Sequence, residues 1–248
     1  MNPAPRTTAL HAASDIGSEL GLPLALALPV VTPFYLTRVA GRLALGENRA
    51  RAPRPVVIDF GSLPRRGRGD PLARAVGLRP GLRVCDATAG LGTDAWTLAC
   101  LGAEVTLLER EPELFALLRD ALQRAAAEAG QEAIAARMHL VAGAAEPWLR
   151  SHTTDVVYLD PMFPGKTKSA LARKEMQLLQ RLALPSEAAP LLAAARQAAR
   201  ERVVVKRPPA APPFAGATPD HAIRSKLVRF DVYLCRPDLS PLARTRAP

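Results

Sequence analysis

From Gly81 to Leu234, short apolar runs of strand type alternate with helical segments across brief turns, and this alternation constrains the fold more than any other feature. Strand-type runs fall at 83–88, 104–109, 138–142, 155–159, 202–207 and 226–234. Helical patterns fall at 94–101, 112–129, 171–182 and 186–200. Helices interleaved with strands can cover both faces of one sheet, so the pattern predicts an α/β fold with a mostly parallel, doubly wound sheet. Upstream, 56–60 reads as a further short strand. A glycine- and arginine-rich loop, 61–70, follows it and suits phosphate contacts, and 71–77 reads as a short helix closed by Gly77. Residues 1–55 are rich in Ala, Leu and Pro and predict a small N-terminal subdomain to which no chemistry is assigned. The main domain is expected over 56–236, and 237–248 as a disordered tail.

The 248 residues carry 33 Lys+Arg against 23 Asp+Glu, a formal charge of +10. A soluble chain of that sign and size points to a polyanionic partner. Cys85, Cys100 and Cys235 lie far apart in apolar runs, and His11, His139, His152 and His221 show no ligand spacing, so neither a disulfide framework nor a metal site is expected. The apolar run 22–31 is too short to span a bilayer and carries Pro23 and Pro29, which predicts a cytoplasmic protein without membrane contact.

The turn between the first two strands of the alternation is Ala89-Gly90-Leu91-Gly92-Thr93-Asp94, and the second strand ends on Glu109. Gly90 and Gly92 permit a sharp turn and close approach to a ligand, and a carboxylate at the position of Glu109 suits ribose hydroxyls. Two cofactors fit this pattern. Gly90 to Ala95 satisfies the dinucleotide fingerprint, but a pyrophosphate at the helix start would meet Asp94. S-adenosylmethionine carries an ammonium and a sulfonium, so Asp86 and Asp94 suit it better. Asp94 as a plain helix cap is the remaining alternative.

The stretch 155–164, Asp-Val-Val-Tyr-Leu-Asp-Pro-Met-Phe-Pro, delivers Asp160 and Phe163 to the carboxyl end of a strand, where open α/β sheets bind ligands. A proline-stiffened turn is the competing reading. Lys166, Lys168, Arg173 and Lys174 follow closely, and Arg200, Arg202, Lys206 and Arg207 form a second basic group. Both suit phosphate contacts, with a solvated charged face as the alternative.

Asp86-Ala-Thr-Ala-Gly-Leu-Gly-Thr-Asp94, Leu108-Glu-Arg110, Val157-Tyr-Leu-Asp-Pro-Met-Phe-Pro164, Lys168-Ser-Ala-Leu171, Lys174-Glu-Met176 and Arg202-Val-Val-Val-Lys-Arg-Pro208 resemble the ribosomal RNA small subunit methyltransferase J family. The resemblance runs from about Val56 to Leu234. It implies a Rossmann-like class I S-adenosylmethionine-dependent fold and methylation of a guanine N2 in small-subunit (16S) ribosomal RNA. It implies cofactor contacts at Thr93, Asp94, Glu109, Arg110, Ala144, Ala145 and Asp160, beside Gly90 and Gly92. The family carries Arg where this chain has Thr93 and hydroxyl residues where it has Ala144 and Ala145, so contacts there fall to the backbone. Asp160 is expected to accept the amine hydrogens and Phe163 to stack on an extruded base. Lys166, Lys168, Arg173, Lys174, Lys206 and Arg207 are expected to hold the RNA backbone. The residues alone also allow an exocyclic amine of another RNA or of DNA, or a non-catalytic RNA-binding relic.

Overall fold

The structure is a computed structural model that describes residues 9–10, 33–50, 52–161 and 187–235. Its centre is a seven-stranded sheet in the order β6-β5-β4-β7-β8-β10-β9. The strands are β4 (Arg83–Asp86), β5 (Glu104–Glu109), β6 (Met138–Ala142), β7 (Thr154–Leu159), β8 (Ala199–Arg207), β9 (His221–Arg224) and β10 (Arg229–Leu234). The five from β6 to β8 run parallel, and β10 pairs antiparallel with both β8 and β9. The expected parallel, doubly wound sheet is therefore present, with an antiparallel edge added to it.

Strand order reverses between β4 and β7. The chain steps outward one way through β5 and β6, then returns to β7 and steps the other way to β8. Such a reversal opens a crevice at the carboxyl ends of the two central strands. Asp86 and Asp160 come from those ends.

Side-chain parity divides the two faces. Val84, Val156, Tyr158, Val204, Phe230 and Val232 join one core, covered by α1 (Pro71–Val76), α2 (Thr93–Cys100) and α3 (Pro112–Ala127). Cys85, Val157, Leu159, Val203, Val205 and Tyr233 join the other, covered by α5 (Ala145–Ser151) and α6 (Ala188–Ala198). In α3, Leu114, Leu117, Leu118 and Ala121 recur at helical spacing and are buried, with Pro112 in the first turn. Replacing such a leucine by alanine costs about 2–5 kcal/mol.

The elements follow the sequence pattern within a few residues, with instructive differences. The strand expected at 56–60 reduces to one bridge between Val56 and Leu45, followed by a 3-10 turn, Phe60–Ser62. The short helices α4 (Glu132–Ala135) and α5 and the edge strand β9 were not expected, because each is too short to display a period. The helix expected at 171–182 lies outside the described residues.

Upstream, β2 (Phe34–Val39) and β3 (Arg42–Glu47) form a hairpin whose Ala40-Gly41 turn takes positive φ at both positions, as a tight hairpin requires. The two-residue strand β1 (Ala9–Leu10) pairs parallel with β2. Phe34, Leu36, Leu43 and Leu45 enter the α3-side core. The Leu43 N–H donates to Asp120 at 3.3 Å, and Arg124 on the same helix donates to the Ile58 carbonyl at 2.6 Å. The hairpin is thereby built into the main body.

Candidate active site

Period-2 alternation decides which charges meet at the crevice. Tyr158 pairs in register with Asp86 and with Val204, and Leu159 with Val205. Continuing each strand by one residue sets Asp160 beside Lys206, on the face that α2 covers. Lys206 donates to Asp94 at 2.7 Å and to Asp160 at 2.9 Å. The Tyr158 hydroxyl donates to Asp94 at 2.6 Å, and the Asp160 backbone N–H donates to the Thr88 hydroxyl at 2.6 Å. Four separate segments thus converge on one ammonium and two carboxylates.

The electrostatics follow from burial and these contacts. Asp86 is buried, and loss of water pushes its carboxyl up to about 8, opposed by the Thr88 N–H. At neutral pH Asp86 is therefore uncharged. Burial alone would raise Asp94 as well, but Lys206 and the Tyr158 hydroxyl outweigh it and hold that carboxyl below the usual range. Asp160 stays above the usual range because burial outweighs Lys206 and the Asp94 charge adds to the push. For Lys206 the two carboxylates outweigh burial, so its ammonium is retained more firmly than in water. One ammonium thus serves two carboxyl groups, and it favours the charged form of each.

The glycine turn lies beside this cluster. Gly90 has φ +56, and a Cβ there would approach nothing nearer than the Thr88 carbonyl at 3.8 Å, so the turn is open on that side. Gly92 has another task. With φ +70 it starts α2, and a Cβ would lie 2.8 Å from Leu118 Cδ2 and 3.3 Å from Phe60 Cζ. Its missing side chain admits the core rather than a ligand. Asp94 is not the helix cap. Gly92 holds that position, and Asp94, in the first turn, directs its carboxylate to Lys206 and Tyr158.

Glu109 ends β5 with its carboxylate accepting from the Gly90 and Glu111 N–H groups, both at 2.9 Å. Burial is the largest influence on it and lifts it to about 7 against those bonds. Arg110 turns outward and donates to Glu111 at 3.2 Å. Thr93 opens α2, and its carbonyl accepts from the Thr97 hydroxyl. Ala144 precedes α5, and Ala145 is buried in the second core, so only backbone atoms are offered there. The Gly143 N–H donates to the Glu109 carbonyl at 2.9 Å, which ties this loop to the end of β5.

Two expected RNA contacts are placed elsewhere. Lys206 is not an outward phosphate anchor but the cation inside the acid cluster. Arg207 has the opposite parity and is buried on the other face, donating to the Pro212 carbonyl with its guanidinium over the Phe214 ring. Phe163, Lys166, Lys168, Arg173 and Lys174 lie outside the described residues. Sequence reasoning missed Thr88, Tyr158 and the inward role of Lys206. The usable signal was parity: Tyr158 and Asp160 share a face, as do Val204 and Lys206.

The donor set fits S-adenosylmethionine. Asp94, Glu109 and Asp160 lie at the carboxyl edge of the sheet beside an open glycine turn and suit a cation-bearing ligand, and among the described residues no acid, His or Cys cluster suits a metal. No described helix is long and apolar enough to cross a membrane.

The sequence profile of the SAM-dependent methyltransferase family matches residues 24–235. The ribosomal RNA small subunit methyltransferase J of Thioalkalivibrio sulfidiphilus is 47% identical over 236 residues, covering 90% of this chain and 92% of that one. Its counterparts in Stutzerimonas stutzeri and Pseudomonas aeruginosa are 46% and 47% identical, each over 90% of its own length. Among solved structures, a SAM-dependent methyltransferase from Neisseria gonorrhoeae superposes with a TM-score of 0.73 at 31% identity, covering 97% of this chain and 99% of that one.

Proposed function

The chain belongs to the ribosomal RNA small subunit methyltransferase J family, and from that premise we propose that it methylates the exocyclic N2 of a guanine in small-subunit ribosomal RNA. One observation carries the reading: Asp160 stands at the strand-order reversal with its carboxylate held by Lys206, directly before the Pro-Met-Phe-Pro segment. S-adenosylmethionine, the cofactor of this family, supplies an electrophilic methyl group when bound.

The protein's own residues then have separable tasks. Gly90 leaves room at the turn, and Glu109 holds that turn through the Gly90 N–H while keeping lone pairs for ribose hydroxyls. Asp94 and Asp160 favour a positive ligand in a site whose other acid, Asp86, is neutral. A guanine N2 is a weak nucleophile because its lone pair is delocalised into the ring, so placement and charge stabilisation supply most of the acceleration. The Asp160 carboxylate accepts the amine hydrogens and stabilises the charge that grows on nitrogen. Phe163 stacks on the extruded base, and Lys166, Lys168, Arg173 and Lys174 grip the phosphates beyond it.

The deciding experiment is methylation of 30S subunits lacking the modification, with labelled cofactor and nucleoside analysis of the product. N2-methylguanosine is expected. Label recovered in another nucleoside, or none transferred, overturns the proposal.

A further inference from the structure

Lys206, expected as an RNA anchor, has surroundings that point to a task at the acid cluster. Its ammonium has three N–H donors, and Asp94 and Asp160 take two of them at 2.7 and 2.9 Å. Asp94 is fixed from the other side by the Tyr158 hydroxyl at 2.6 Å, and Tyr158 is fully buried in the centre of the sheet. Asp160 is held differently. Its backbone is fixed by the Thr88 hydroxyl, but among the described residues Lys206 is the only hydrogen-bond donor to its carboxylate. Remove the ammonium and that carboxylate loses both its direction and its counter-charge, facing Asp94 and the buried Asp86. The charged and titratable groups around the cluster are Asp86 on β4, Asp94 on α2, Tyr158 on β7, Asp160 after β7 and Arg66 acting on Asp94 from the 61–70 loop.

We propose that Lys206 is a positioning residue for methyl transfer: anchored on Asp94, it aims the Asp160 carboxylate and supplies its counter-charge, and it does not contact RNA phosphate. The proposal rests on the role given to Asp160 as hydrogen-bond acceptor for the guanine amine. It explains why a lysine at a strand end is only a quarter exposed, turned away from the solvent that a phosphate anchor would need. Leaving a half-buried carboxylate beside Asp94 without its counter-charge is costly, and Asp160 relieves that cost by taking a proton more readily.

The test compares wild type, Lys206→Met and Lys206→Arg in the full chain. It reads kcat on 30S subunits from pH 6 to 9, the salt dependence of RNA binding, and S-adenosylmethionine affinity by calorimetry. Lys206→Met is expected to lose about a hundredfold in kcat at pH 7, with its acid limb moved up by about one pH unit or more. Its RNA affinity and salt slope stay at wild-type values. Its cofactor affinity falls more steeply on acidification than that of the wild type. Lys206→Arg, which keeps the charge, is expected to hold the wild-type acid limb with kcat within about tenfold.

A folded Lys206→Met protein whose acid limb and pH dependence of cofactor binding match the wild type overturns the inference. So does a reduced salt slope with kcat unchanged, which would make Lys206 a phosphate anchor. Should Lys206→Met lose its cooperative melt, Lys206→Gln carries the same outcomes. Wild type inert on 30S subunits would overturn the acceptor assignment instead, and the calorimetry would still decide for Lys206.

Discussion

Two charge clusters sit at the ends of neighbouring strands, and their difference separates a reactive site from a structural one. On β10, Arg229 donates to Asp231 at 2.7 and 2.9 Å and to the carbonyls of Pro209 and Ala211, each at 2.9 Å. The Asp231 side chain is fully buried and that of Arg229 is 9% exposed. The guanidinium is consumed by partners within the protein, and it pins the 208–213 loop. At the carboxyl edge of β7 and β8, Lys206 also joins acids, but the Asp160 side chain is 39% exposed and, among the described residues, takes one donor on its carboxylate. A saturated cluster holds the fold. A cluster with acceptor capacity left over, at the strand-order reversal, is available to a ligand.

Mutations at the two clusters are therefore expected to part company. Asp160→Ala should cut methyl transfer about a thousandfold, roughly 4 kcal/mol of transition-state stabilisation, with a melting temperature close to wild type. A folded Asp160→Ala enzyme with near-normal turnover would erase the distinction from one side. Asp231→Asn should do the reverse. It strands the Arg229 charge and is expected to cost about 3 kcal/mol of stability, read from the urea midpoint, while the folded fraction keeps kcat/KM within about threefold. A loss of turnover without loss of stability there would make the β10 cluster part of the site.

Acidity sharpens the contrast further. Asp86 and Glu109, lifted to about 8 and about 7, bind their protons more tightly folded than unfolded, where the ordinary values are 3.8 and 4.5. Between about pH 4 and 8 the folded state thus carries extra protons, so stability falls as pH rises through that window. Asp86→Asn is expected to flatten the fall by about 3 kcal/mol between pH 5 and 8, measured as urea midpoints at both pH values. An unchanged slope would show that Asp86 ionises freely. The smallest change at any one salt concentration concerns Lys166, Lys168 and Lys174. Neutralising all three should lower the salt slope of RNA binding by about 2, at roughly 0.7 per phosphate contact, and leave kcat near wild type. A slope that does not move would place these lysines away from RNA.

Much of this was legible in the chain. Alternating strand and helix patterns indicated the parallel, doubly wound sheet, and the residues that close its strands, Asp86, Glu109 and Asp160, were identified as candidate site residues because strand ends carry ligands in such folds. The glycine turn was legible too, though its two glycines proved unlike. Gly90 opens the turn, whereas Gly92 makes room for Leu118 and Phe60, contacts that join segments tens of residues apart. β2 carries alternating burial at its start and β3 is buried almost throughout, but the hairpin's hydrogen bond to α3 rests on Asp120, which no local pattern signals.

By itself the sequence determined the fold class, the acids at the strand ends and the family, since these depend on local periodicity and on motifs read within one segment. Only the tertiary structure decided what the basic residues do. Lys206 and Arg207 are adjacent and chemically alike, yet alternation along β8 sends one to the acids of the crevice and the other to a proline carbonyl and a phenyl ring. Charge counts describe both as cations free for RNA. The register of β8 against β7, fixed by apolar pairs such as Leu159 with Val205, gives each its partners.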